Sequence, residues 1–220
     1  MAIVQSHRGS RYTKGFTLLE LLITVAIAAV LAAVALPNMG VFVQNNARSS
    51  RMNNLVTAFN IARNEAISKQ TTVTVCASTT SPAPATYTCN GTNRFEDGWI
   101  VLVDRNANGA VDPPLVPPVL PNDQVLRIFE PDMAGSATLR GRDSLNQAVP
   151  RVSFDSSGQL TGFTITNNMT GVRFTYCDSR GVNLARAIIM GRTGHSKISR
   201  DGADADDIHE VAGVNIASCL

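Results

Sequence analysis

Glu20 is the first candidate for a functional residue, because this acidic side chain stands inside an otherwise apolar run. From Phe16 to Leu36 the other polar residues are Thr17 and Thr24. An unpaired carboxylate in an apolar medium costs a few kcal/mol or more, so a buried acid is normally paired. The sequence therefore predicts a positive partner for Glu20. The alternative is an acid that snorkels or lines a cavity.

A second candidate site is the loop D-R-N-A-N-G at 104–109, which matches the opening of an EF-hand calcium loop. Its oxygen ligands would be Asp104, Asn106, Asn108 and Asp112. Leu115 stands where such a loop carries its bidentate Glu. Because Asn, Asp and Gly also form good hairpin turns after a strand, we expect a turn here and keep calcium as the alternative.

A third candidate is a basic cluster that is followed by an acidic one. The cations are interrupted by Asp178 alone and comprise Arg173, Arg180, Arg186, Arg192, Lys197 and Arg200. The acids that follow are Asp201, Asp204, Asp206, Asp207 and Glu210. Phosphate contacts need cations, so Arg192, Lys197 and Arg200 are candidate DNA contacts. A solvated face or internal ion pairs are the usual reading of a charge run.

Enzymatic chemistry has little support in this sequence. The chain has three histidines, His7, His195 and His209, and none of the HExxH, GxSxG or P-loop motifs. Asp155 and Asp178 are better placed as turn residues than as a catalytic pair. We expect no catalytic residue, because no nucleophile stands with a base, and no cofactor.

The cysteines predict disulfide bonds in an exported domain. Cys76, Cys89, Cys177 and Cys219 lack the CxxC spacing of zinc or redox sites and can pair in three ways. Sequential pairing, Cys76 with Cys89 and Cys177 with Cys219, costs least in loop closure. An oxidising compartment such as the periplasm permits it.

Composition points to one ordinary domain with an additional helix. The 220 residues are 44% hydrophobic and 16% charged, which excludes disordered and collagen-like chains. The formal charge is +2. If the segment before Phe16 with Arg8, Arg11 and Lys14 is removed, 16 basic residues face 17 acidic ones, a net charge of −1. Such a chain has no global positive field to attract nucleic acid or acidic lipid.

The N-terminal region predicts a long helix in two halves. The apolar residues 16–36 are numerous enough to cross a bilayer, and the basic residues before them favour a cytoplasmic N-terminus. After Pro37, expected to kink or locally loosen the helix, a helical period resumes to residue 70. Its apolar positions are Met52, Leu55, Val56, Phe59, Ala62, Ala66 and Ile67, with Arg48, Arg51, Arg63, Glu65 and Lys69 between them.

Residues 71–220 predict a β-rich head. Short β segments separated by turn residues lie at 71–77, 99–104, 124–129, 151–154, 162–166, 172–177 and 185–190. Strands that follow one helix indicate an α+β fold, in which the amphipathic half of the helix packs on an antiparallel sheet.

The N-terminal residues resemble the class III signal of type IV pilins and type II secretion pseudopilins. Gly15 is followed by F-T-L-L-E-L-L, with basic residues before it and Pro37 after it. The resemblance implies that a prepilin peptidase cuts between Gly15 and Phe16, removes the leader 1–15 and leaves an N-methylated Phe16. The new ammonium would then neutralise Glu20, within one subunit or between neighbours, so that Glu20 sets the register of filament docking.

Later stretches resemble the GspH/FimT family of minor pseudopilins and minor pilins. They are ARNEAIS at 62–68, GWIVLVDRNANG at 98–109, VSFDSSGQL at 152–160 and FTYCDSRG at 174–181. The resemblance implies a non-enzymatic subunit, anchored in the bacterial inner membrane with a periplasmic head and later part of a pilus or pseudopilus. Other pilins or pseudopilins would be its partners.

The same resemblance raises a DNA receptor for natural transformation as the alternative function. Some FimT-like pilins bind DNA through a C-terminal GRxR motif. This chain has GRTGHSK at 191–197: Arg192 matches the motif when Gly191 is its glycine, but Gly194 replaces the second arginine. If Gly194 is the motif glycine, His195 and Lys197 replace both arginines.

Overall fold

A computed structural model describes residues 15–78, 87–109, 111, 123–131, 137–143, 145–161, 171–201, 209–211, 214–215 and 219. Side chains are not described at 34, 36–38, 200–201, 209–211 and 214–215. The chain divides into two compact units, residues 1–46 and 47–220. The predicted leader therefore lies outside the described residues, apart from Gly15.

One helix, α1 (Leu18–Lys69), accounts for the helical prediction. It is continuous through Pro37, where we expected a kink or a local loosening rather than the end of the helix. In the second unit α1 buries five of the seven predicted apolar positions, namely Met52, Leu55, Phe59, Ala62 and Ala66. Ala58, which was not predicted, is also buried, and Val56 is half-buried. Ile67, at the end of that stripe, is 39% exposed.

Every strand pairing in the described part of the chain is antiparallel. The strands are β1 (Val73–Ala77), β2 (Trp99–Val103), β3 (Gln124–Phe129), β4 (Thr138–Asp143), β5 (Arg151–Phe154), β6 (Leu160–Thr161), β7 (Val172–Cys177), β8 (Arg186–Met190), β9 (Ser196–Ile198), β10 (Arg200–Asp201), β11 (His209–Val211) and β12 (Val214–Asn215). They form a five-stranded sheet in the order β3-β2-β1-β5-β6, a four-stranded sheet β4-β7-β8-β9 and a three-stranded sheet β10-β11-β12. The predicted α+β class is confirmed.

Both larger sheets share one hydrophobic core with α1. Phe59 of the helix stands 6.5 Å from Phe154 of β5 and 5.1 Å from Phe174 of β7, measured between ring centroids. Trp99 of β2 and Leu139 of β4 belong to the same buried cluster. The helix therefore joins the two sheets through apolar contact.

The central strands β1 and β2 are buried along their whole length, because each of their faces is covered. Val73, Val75 and Ala77 belong to the main core. On the opposite face, Cys76 packs with Ile100 and Leu102 in a smaller cluster that also includes Tyr87 and Cys89. The Cys76–Cys89 disulfide holds this cover in place.

Some observed strands were not predicted from the sequence, and one predicted strand cannot be compared with the structure. The predicted strand 162–166 lies outside the described residues, and the observed strands β4, β6, β9, β10, β11 and β12 were not predicted. In β4 the sequence TLRGRD carries no apolar alternation, yet Gly141 fits there because an added Cβ would stand 2.7 Å from the carbonyl oxygen of Val149 and 2.8 Å from Phe174 Cε1. Close packing rather than β propensity defines this strand.

Candidate functional site

The predicted cleavage site lies just before α1. Gly15, Phe16 and Thr17 precede the helix, and Phe16 is 82% exposed. A Cβ added to Gly15 would meet no atom within 4 Å. Nothing in the packing of the described chain therefore requires glycine at position 15, so a substitution there can be used to test processing without disturbing the fold.

Glu20 lies in the first turn of α1, where Thr17 caps the helix. Thr17 Oγ1 accepts a hydrogen bond from the Glu20 backbone N–H at 3.2 Å, and the Thr17 carbonyl accepts the first helical bond from Leu21 N–H, also at 3.2 Å. This is the Thr half of a capping box, whose T-x-x-E spacing our sequence reading overlooked. An acid in the first turn also interacts favourably with the helix dipole.

The N-terminal part of α1 exposes apolar side chains on every side. Those more than half exposed include Leu18, Leu19, Leu21, Leu22, Ile23, Val25, Ile27, Val30, Leu31, Met39, Val41, Phe42 and Val43. A helix that is apolar all round requires burial against something other than water. This surface is the largest apolar feature of the first unit.

Among the described residues, no helix combines the length and the apolar character needed to cross a membrane.

The described members of the basic cluster stand in different surroundings. Arg180 binds Asp178 through Nε to Oδ1 at 3.0 Å and Nη2 to Oδ2 at 2.5 Å. The hydrogen bond from Arg180 lowers the pKa of the Asp178 carboxyl. Arg192 is exposed in the turn between β8 and β9, and Lys197 is exposed in β9, whereas only the backbone of Arg200 is described.

Gly194 explains why the GRxR pattern is incomplete here. Its N–H donates to the Gly191 carbonyl at 2.9 Å and closes the β8–β9 turn. Its φ is +74°, and an added Cβ would stand 2.6 Å from the Gly158 carbonyl oxygen. Position 194 therefore rejects any side chain, arginine included.

Arg48 and Arg51, which the helical pattern placed among the charged positions between apolar ones, are buried in the head. Arg48 donates to the Leu184 carbonyl, and Arg51 donates to the Glu130 carbonyl at 2.9 Å. The Arg51 guanidinium also lies 5.8 Å from the centre of the Trp99 ring, within cation–π range. Burial lowers the pKa of Arg48, and the nearby Arg186 and Arg180 lower it further.

The 104–109 loop is a turn organised by its own aspartate. The Asp104 carboxylate is buried and accepts Thr74 Oγ1 at 2.9 Å, Asn108 N–H at 3.0 Å and Gly109 N–H at 2.9 Å. Asn106 Oδ1 also accepts Asn108 N–H, at 3.2 Å. Asp112 lies outside the described residues. Within the described ranges no group of three or more His, Cys, Asp or Glu could hold a metal ion.

The second disulfide joins Cys177, in the last position of β7, to Cys219 across a sequence separation of 42. Ala185, Ala187 and Ile189 pack with Cys177 and Cys219 in a small cluster. The bond ties the end of the chain to the four-stranded sheet. Both observed pairs are the sequential ones.

The chain matches two family models that together span most of its length. The model described as "Type II transport protein GspH" matches residues 51–194, and the prokaryotic N-terminal methylation motif matches residues 10–36. No curated protein matches the chain.

Among solved structures, the chain is similar to the type IV minor pilin FimU of Pseudomonas aeruginosa. One crystal form of FimU matches with a TM-score of 0.51 and 17% identity, over 81% of this chain and 99% of FimU. A second form matches with a TM-score of 0.47 and 14% identity, over 78% and 99% of the two chains. At this identity the first match supports the α+β fold alone. The family match over more than half of the chain shows that it belongs to the GspH family, as a GspH/FimT-like minor pilin or pseudopilin.

Proposed function

We propose that the chain is cut between Gly15 and Phe16, is held in the inner membrane by its N-terminal segment and then enters a filament as a structural subunit. The filament is a type IV pilus or a type II secretion pseudopilus. Support comes from the family match and from the N-terminal methylation motif over residues 10–36.

One observation carries this proposal: Glu20 stands at the start of an apolar helix surface that no described residue of its own unit buries. Side chains from Leu18 to Leu31 are exposed around that helix. Lipid covers such a surface before assembly, and the helices of neighbouring subunits cover it afterwards. Cutting after Gly15 creates an α-ammonium four residues before Glu20, the cation that a carboxylate in this setting requires.

Because Thr17 caps the helix, Glu20 already lies at the end where positive backbone N–H groups accumulate. In a stack of subunits, the ammonium of one chain and the carboxylate of the next would pair only in one axial register. The pair selects register rather than adding net stability, which is the best-attested use of a buried charge.

Glu20→Gln tests the proposal, because it removes the charge and keeps the shape of the side chain. We expect the variant to be processed to Phe16 but to be about tenfold depleted from sheared filaments, which corresponds to roughly 1.4 kcal/mol. The matched control is Glu65→Gln, a half-buried acid whose partner is Lys69 at 3.5 Å, and it should enter filaments normally. Normal incorporation of Glu20→Gln would refute the docking role.

DNA binding is the second candidate function, and one observation favours it. Arg192 and Lys197 are both exposed on the β8–β9 hairpin, available to phosphate groups. Against it, Gly194 excludes the second arginine of the motif. The double variant Arg192→Glu with Lys197→Glu should abolish DNA retention by the purified full chain. An unchanged mobility shift at low salt would remove these residues from the proposal.

A further inference from the structure

A row of cations crosses the outward face of the four-stranded sheet. Arg142 of β4 stands directly opposite Arg173 of β7, Arg173 is opposite Ile189 of β8, and Ile189 is opposite Lys197 of β9. Their neighbours Leu139, Phe174 and Ile188 point into the core, so these four side chains lie on the other face. With adjacent strands about 4.8 Å apart, the two arginines can reach one anionic group.

The two arginines repel each other without a described acid between them. Like charges directly opposite in a sheet are destabilising. Arg142 Nη1 donates to the Asn146 carbonyl at 2.9 Å, and Arg173 Nη2 lies 3.5 Å from Asn146 Oδ1. The Nε atoms of both arginines are shielded from solvent and have no hydrogen-bond partner among the described residues.

Two other arginines of the head each pair with a carboxylate. Arg140, also on β4, lies 2.6 Å from Glu96 through Nη2, and Arg180 binds Asp178. Burial lowers the pKa of Arg173, and Arg142 lowers it further. Among the described residues, the Arg142–Arg173 pair therefore lacks the carboxylate partner that Arg140 and Arg180 each have.

We propose that the row Arg142, Arg173, Ile189 and Lys197 is a docking surface for aspartate or glutamate side chains of a neighbouring pilin subunit. The inference rests on the proposed function, which brings the heads of different subunits into contact. A carboxylate between the two guanidinium groups would replace repulsion with charge-assisted hydrogen bonds. Ile189, half-buried in the middle of the row, packs on one side against the cluster around the Cys177–Cys219 disulfide and would add apolar contact with its exposed part.

The composition of this face favours an acidic protein over a nucleic acid. Its described side chains, on alternate positions of the four strands, include no aromatic ring on which a base could stack. After loss of the leader the chain carries 16 basic and 17 acidic residues, so no long-range field attracts a polyanion. Arginine beside an apolar residue is typical of protein interfaces.

Carbodiimide coupling on assembled filaments tests for an acid docked on the row, because it joins a lysine amine to an adjacent acid with loss of water. We expect mass spectrometry to find Lys197 Nζ joined to an Asp or Glu of another pilin subunit. The double variant Arg142→Gln with Arg173→Gln should lower this yield about tenfold, since loss of one side of a close charge pair mainly speeds dissociation.

The matched control is Arg105→Gln with Arg127→Gln, which removes the same charge from exposed positions outside the row and should leave the yield unchanged. The Arg142/Arg173 variant should also melt no lower than the wild type, because a repulsive pair is removed. Coupling of Lys197 only to acids of its own chain would overturn the proposal. An intersubunit coupling yield that is the same in the wild type and in the Arg142/Arg173 variant would also overturn it.

Two further results separate this inference from the proposed function. A wild-type chain that enters filaments without intersubunit coupling at Lys197 would refute the docking surface and leave the structural role intact. A wild-type chain that never enters filaments would refute the structural role itself. DNA retention by the full chain that depends on Arg142 and Arg173 would contradict the acidic-protein assignment.

Discussion

Asp178 shows how the head uses single charged side chains. Its carboxylate accepts two side-chain bonds from Arg180 and one from the Arg180 backbone N–H at 3.0 Å. Both side chains are largely shielded, at 9% and 15% exposure, so screening by water is limited. Asp178 lies next to Cys177, which forms a disulfide bond with Cys219.

Asp178→Asn should therefore destabilise the protein near neutral pH by about 1.5–3 kcal/mol, the usual value of a hydrogen bond to a charged group. Because the folded pKa of Asp178 is lowered, its contribution is fully present above the unfolded pKa of about 3.9 and is lost as pH falls through the folded pKa. Melting curves of both proteins should converge below about pH 4. A difference that persists unchanged into strong acid would contradict this account.

Gly194→Arg, which restores the GRxR spacing, should destabilise the head rather than create a DNA site. The φ of +74° and the 2.6 Å approach to the Gly158 oxygen cost at least about 1–3 kcal/mol together. Thr193→Arg, at the exposed neighbouring position, is the control and should melt like the wild type. Equal melting temperatures for the two variants would show that the turn tolerates a side chain.

At the scale of elements, the sequence was most informative where hydrophobic period alone decides structure. The stripe from Met52 to Ala66 and the apolar strands β1, β2, β5 and β7 follow from spacing and are confirmed. Arg48 and Arg51 could not be placed by the same rule, because their partners are carbonyls at Leu184 and Glu130, far along the chain. Strand β4 likewise depends on tertiary contacts at Gly141.

Phe59→Ala should weaken the junction between α1 and both sheets. Its ring is fully buried against Phe154 and Phe174, so truncation leaves a cavity that costs about 3–5 kcal/mol. Ile67→Ala removes an apolar side chain that is 39% exposed and should cost less than half as much. Denaturant unfolding of the purified chain measures both, and equal losses would contradict a shared core at Phe59.

At the scale of the whole molecule, one helix belongs to two units in which its apolar side chains have different surroundings. Within residues 47–69 the apolar stripe is buried against the sheets, whereas in the first unit the described apolar side chains of residues 18–43 are exposed. The apolar run at 16–36 predicts a helix in two halves that meet at Pro37, because a helix that is apolar all round must be buried; the two compact units meet at residues 46 and 47. The sequence could not predict the cationic row on the four-stranded sheet, since its members come together only through strand register.

The central claim is that proteolysis after Gly15 creates the positive group that Glu20 requires. Mass spectrometry of the protein extracted from membranes of cells with an active prepilin peptidase tests it most directly. The account predicts a chain that begins at Phe16 and carries one N-methyl group. Gly15→Val should retain the whole leader in the same cells, without loss of folding, because an added Cβ would meet no atom of the described packing within 4 Å. A wild-type chain that still begins at Met1 would contradict the account.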